Sequence, residues 1–217
     1  MNFHKIDLKT WPPAQMFYYY SKMAVTTFSV NISIDVTNTR KFLKEKNLKF
    51  FPAYVYIISK NISKENNLCI TEKDNDVGFW DFLNPVYPQF HEDDKTTSLL
   101  WTEYSENFEE FYENYTEDIK NHGNSHGVLS SKGIPPENSF VISCIPWFTF
   151  NSFSLYNHGI KNYYFPSFES GAFYEENKKI LMPLSVTVHH ANTDGYLLKT
   201  LFENIKKDFS EPYSWIK

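Results

Sequence analysis

The sequence predicts an α/β fold, a sheet with helices packed on it, and three observations carry the prediction. Phe28, Val30, Ile32, Ile34 and Val36 alternate with polar residues, the period of a strand with one buried face. Tyr54, Ile57, Ile58 and Ile62 recur at helical spacing. An apolar run, "ILMPLSVTV", leads into a closing helix from Gly195 whose Leu197, Leu198, Leu201, Phe202 and Ile205 share one face. At 217 residues the chain can bury a substantial core, and a single domain over residues 1–217 is expected.

The elements follow in order. Pro12 and Pro13 open a short aromatic helix over about Pro13 to Lys22, because a first helical turn tolerates a missing N–H. After the alternating strand, "TNTRKFLKEKN" reads as a capped helix, and Pro52 opens the more apolar "PAYVYIISKNISK". Short strands are expected around Leu68 to Thr71, Val77 to Phe82, Tyr87 to His91 and Ser98 to Thr102. Phe108, Phe111, Tyr112, Tyr115 and Ile119 mark another helical face. "NHGNSHGVLSSKGIPPEN" is a long loop of turn formers. "SFVISCIPW", "FNSFSLYN" and "ILMPLSVTV" read as later strands, the last two central.

Composition excludes some functions. The net charge is −5 and Arg40 is the single arginine, so no basic stripe could neutralise a nucleic-acid backbone. The start "MNFHKIDLKTW" lacks a signal peptide's apolar stretch, and no window has the length of a spanning helix. A cytoplasmic protein without membrane or nucleic-acid partners is expected, with Cys69 and Cys144 reduced. An aromatic share of 18% suits a core, a subunit interface or a ligand cavity alike.

The chemistry concentrates in "SVTVHHANTDG". If the preceding run is a strand, His189 and His190 point to opposite sides, so one metal ion would hardly reach both. No Cys/His spacing elsewhere supplies further ligands, and no metal is expected. An ordinary strand end, with one packed and one solvated ring, is one reading. A general base supported by a carboxylate four residues on is the other, with His190, Asp194 and Gly195 at a strand-to-helix junction.

"VHHANTDG" resembles the HHxxxDG signature of chloramphenicol acetyltransferases. That signature is shared with dihydrolipoyl acyltransferase cores and nonribosomal condensation domains. The likeness extends further: "WPPAQMFYYY", "KFFPAYVYIISKNI", "PPENSFVISCIPWFTFNSFSL" and "ILMPLSVTVHHANTDG" follow the family's order and nearly its spacing. The resemblance implies a two-layer sandwich, a mixed β-sheet covered by helices. It also implies a homotrimer whose active sites lie between subunits, with the base from one and much of the acceptor pocket from its neighbour.

By the same resemblance, His190 is the base that takes a proton from the acceptor hydroxyl as it attacks acetyl-CoA. Ser143 donates to the oxyanion of the tetrahedral intermediate. Asp194 matches the family's structural aspartate, but its arginine partner is Pro13 here, so Asp194 must bond backbone or hydroxyl donors such as Thr193, find a lysine, or meet water. Lys49 falls near the CoA phosphates and Trp147 along the pantetheine or adenine path. A lysine seen in many members is Ala172 here, followed by Phe173.

The acceptor pocket keeps Tyr20, Phe28, Phe153 and Leu155 at matching positions. Thr26, Thr97, Ser130, Asn157 and Glu169 stand where apolar residues or a threonine are usual. Chloramphenicol is the expected acceptor. The alternatives are a related O-acetyltransferase for a more polar small alcohol and a binding protein that keeps the fold with weak catalysis.

Overall fold

The computed structural model describes residues 2–156 and 163–216. Its main sheet runs in the order β2 (Thr27–Asp35), β10 (Lys179–His189), β8 (Ser167–Gly171), β7 (Ser139–Ile145), β5 (Asn84–Phe90) and β6 (Thr97–Trp101), with β9 (Tyr174–Glu176) also paired to β10. The β5–β7 and β7–β8 pairs are parallel and the others antiparallel, so the sheet is mixed, as expected. A small antiparallel sheet joins β1 (Phe3–Lys5), β4 (Asp76–Trp80) and β3 (Ile70–Lys73).

Helices α2 (Thr37–Glu45), α3 (Phe50–Ile62), α4 (Phe108–His122) and α5 (Gly195–Ser210) bury one continuous core against the main sheet. The β10 side chains of that core are Met182, Leu184, Val186 and Val188, alternate residues as the pleat requires. Helix α1 (Ala14–Tyr18) continues as a π-helical turn over Tyr19–Met23. It belongs to a second small cluster in which Phe17 packs with Ile70, Val77, Tyr164 and Ala191.

Two expectations differ from the fold. "FNSFSLYN" forms no strand over its described residues, Phe150 to Tyr156; Asn157 lies outside them. Its aromatic alternation mimics a strand, yet its backbone is held by side chains: Phe153 N–H donates to Asn31 Oδ1 at 2.9 Å, and Phe153 O accepts from Ser185 Oγ at 2.7 Å. The central place belongs to β8, "SFESG", whose polar letters hide a strand hydrogen-bonded on both sides.

The sheet face away from the main core is polar. Asn31, Ser185, Glu169 and Ser143 are register partners on four successive strands, so one cross-strand row carries all four.

Candidate active site

The two histidines diverge at the end of β10. His189 is buried, stacks edge-on against Tyr164 at 4.8 Å, and accepts from the Ala191 N–H through Nδ1 at 3.1 Å. Burial pushes its pKa down to about 4, so it stays neutral and serves packing. His190 meets other rings, Tyr20 at 4.1 Å and Phe28 at 5.2 Å between centroids.

The hydrogen bonds of His190 fix its tautomer. Its backbone N–H donates to Thr26 O at 2.8 Å, tying the turn to the start of β2. Its Nδ1 lies 3.0 Å from Thr193 O. A carbonyl only accepts, so Nδ1 carries the proton and the neutral ring keeps its lone pair on Nε2. Thr193 is itself held, its N–H donating to His189 O at 3.2 Å and its hydroxyl to Asn192 Oδ1 at 3.4 Å, while Asn192 Nδ2 donates to Asn67 O at 2.8 Å and to Tyr164 O at 3.1 Å. His190 lines a cleft of about 320 Å³ with Trp11, Pro13, Met16, Asp194 and Leu197. Such a ring has the geometry of a general base open to a ligand.

Asp194 takes the first of the courses left open to it. It caps α5, with Oδ1 accepting from the Leu197 N–H at 2.8 Å, and the residue is exposed. Pro13 lines the same cleft, and no buried ion pair is required there. Thr26 is likewise satisfied, its hydroxyl donating to Ala24 O at 2.6 Å. Thr97 is exposed, whereas Ser130 is 3% exposed and its Oγ has no partner among the described residues.

Ser143 lies elsewhere. It sits beside Glu169, two strands away from β10, and its level on β10 is Ser185, five residues before His190. With strands about 4.8 Å apart and about 3.3 Å per residue, the two residues stand roughly 19 Å apart in one chain. A single copy therefore separates the candidate base from the candidate oxyanion donor. Tyr20, Thr26, Phe28, Asp194 and His190 gather at one end of the sheet, with Phe153 and Leu155 on the segment following Ser143's strand.

The opposite end carries the candidate cosubstrate residues. Trp147 is 63% exposed and packs edge-on against Phe90 at 5.0 Å. Its neighbour Phe148 accepts from the Ala172 N–H at 2.9 Å, and Phe173 packs on Phe50. Lys49 is the residue before α3 and shares a groove of about 910 Å³ with Arg40, Lys41, Lys44 and Tyr112. Sequence reasoning missed Arg40 there; its guanidinium lies 4.4 Å over the ring of Phe173, the residue after Ala172. Its being the single arginine was the available signal.

Glu169 is 1% exposed, and neither carboxylate oxygen has a hydrogen-bond partner among the described residues. Burial raises its pKa to about 7 from the ordinary 4.5, offset only weakly by the nearby Ser167 hydroxyl. Between those two values the folded protein holds a proton that the unfolded chain has released, so stability falls as pH rises through the window. The loss amounts to about 3 kcal/mol above pH 7. Glu169→Gln should remove that slope, as urea unfolding from pH 4 to 8 at fixed protein concentration would register.

Residues 1–206 match the chloramphenicol acetyltransferase family. The chain belongs to that family. The chloramphenicol acetyltransferase of Clostridium perfringens is 37% identical over 218 residues, covering 100% of this chain and 99% of its own length. That of Clostridium butyricum is 39% identical over 200 residues, 90% of each chain. A solved chloramphenicol acetyltransferase superposes with a TM-score of 0.86 over 96% of this chain and 99% of its own, at 17% identity, and so attests the fold. No helix among the described residues of this family member is long and apolar enough to cross a membrane.

Proposed function

We propose that this chain transfers the acetyl group of acetyl-CoA to a hydroxyl of chloramphenicol. The site forms where the His190 end of one copy meets the Ser143 end of the next. The observation that carries the reading is the His190 ring, which lines a cleft and packs on Tyr20 and Phe28, and whose Nδ1 is engaged by Thr193 O so that Nε2 is left to accept a proton. Full-length relatives named for the reaction support it.

Nε2 takes the acceptor's proton as its oxygen attacks the thioester carbon, because an alcohol is a poor nucleophile until that proton leaves. The Ser143 hydroxyl donates to the oxygen that gains charge. On collapse the C–S bond breaks and the proton passes from His190 to the sulfur, which leaves free CoA.

The separation of the two halves supports an assembly in which one copy completes the site of the next. Complementary ends of one chain meeting head to tail make a heterologous contact, which gives a ring where the rotation between copies closes. A homotrimer is such a ring. A cytoplasmic location agrees with two free cysteines, Cys69 and Cys144.

In the groove, Arg40, Lys41, Lys44 and Lys49 offer positive charge to the CoA phosphates while Trp147 flanks the pantetheine. Arg40→Ala is expected to raise the KM for acetyl-CoA several-fold with kcat unchanged, as initial rates at varied acetyl-CoA would reveal. A second reading, a more polar alcohol as acceptor, is favoured by the unpartnered Glu169 beside Ser143. Following CoA thiol release with chloramphenicol and then with polar alcohols decides between them. Turnover with none would leave a binding protein that keeps only the fold.

A further inference from the structure

The fold brings a second pair of histidines together, far apart in sequence and outside the proposed site. His91 follows strand β5 at the start of the β5–β6 turn, and His126 lies in the loop after α4; their rings stack at 4.1 Å. A ring nitrogen of each and a carboxylate oxygen of Asp93 all lie within 4.8 Å of one another.

Each ring is also held from behind. Asp94 Oδ2 sits 2.7 Å from His126 Nδ1, and Asp94 is itself fixed by the Thr96 N–H at 2.9 Å and the Thr96 hydroxyl at 2.7 Å. Ser98 Oγ sits 2.9 Å from His91 Nε2. A carboxylate behind one imidazole and a hydroxyl behind the other are the supports that orient metal-binding histidines.

Two carboxylates face the His126 ring, one at each nitrogen. His126 Nδ1 lies 2.7 Å from Asp94 Oδ2 and its Nε2 lies 3.4 Å from Asp93 Oδ2, so a metal ion would take the place that a proton on Nε2 can otherwise fill. His91 is 6% exposed, and no described bond engages its Nδ1. A cation between these groups would satisfy all of them.

The geometry points to a divalent transition-metal site of the zinc type, with His91, His126 and Asp93 as ligands and water in the fourth place. Two imidazoles and one carboxylate suit zinc, not calcium or magnesium, which take oxygen ligands. Ligand atoms around zinc stand about 3.3 Å apart, so His126, whose side chain is 42% exposed, swings out of the stack as the ion enters. The ion would clip the β5–β6 turn to the loop after α4, which is otherwise joined to this hairpin chiefly by the Leu99–Leu129 bridge.

Titration of chelator-stripped, full-length protein with Zn²⁺ by calorimetry tests the site, with Co²⁺ absorption as a second readout. One ion per chain is expected, with a raised melting temperature. His126→Gln and Asp93→Asn should abolish saturable uptake, and Asp94→Asn should weaken it by about 10-fold or more. His190→Ala should leave uptake intact. Melting in chelator checks that each variant is folded. No saturable uptake by the wild type, or uptake unchanged in folded His126→Gln and Asp93→Asn, would overturn the assignment.

Discussion

Alanine at position 190 is expected to lower kcat/KM for acetyl transfer by about 10²- to 10⁴-fold, the usual contribution of a positioned general base. The ring packs on Tyr20 and Phe28 at the cleft and lies outside the main core, so the variant should fold and still bind acetyl-CoA. The loss should therefore appear in kcat rather than in the KM for acetyl-CoA. His189→Ala offers the contrast. His189 is buried against Tyr164, so its removal should show first in stability, as paired melting and initial-rate measurements would tell.

Ser143→Ala should cost about 10²- to 10³-fold in kcat, or about 2.7–4 kcal/mol of barrier, because an oxyanion donor acts most strongly once charge has developed. Retention of wild-type kcat in a folded Ser143→Ala variant would remove the serine from the mechanism. Glu169 shapes the expectation further. A carboxylate ionised beside Ser143 opposes a developing anion, and its pKa of about 7 places that conflict near neutrality.

Much of this was legible in the sequence where a residue's neighbours in the chain are also its neighbours in space. Alternation in β2 and β10 and the stripe on α5 announced the elements that position His190. The carbonyl of Thr193, three residues on, lies within the same turn. Strand β8 was illegible because its burial comes from β7 and β10 on either side and from the core beneath Phe168, with little apolar pattern of its own. The aromatic run after Trp147 misled for the converse reason, since Phe150 and Phe153 pack on each other while the backbone bonds to Asn31 and Ser185 side chains. Pro13 suggested a stranded Asp194, yet a helix N-terminus supplied the missing donor. The meeting of His91 with His126, and of Arg40 with Phe173, depended on how separate elements pack.

The most direct measurement mixes two inactive proteins. His190→Ala and Ser143→Ala chains, each assembled alone, lack one half of every site. Unfolded together and refolded at equal amounts, they should recover activity, because about a quarter of the head-to-tail contacts in a randomly mixed ring pair an intact His190 with an intact Ser143. Recovery near that fraction is the predicted result. Mixed oligomers of the right size that stay inactive would contradict a site shared between copies.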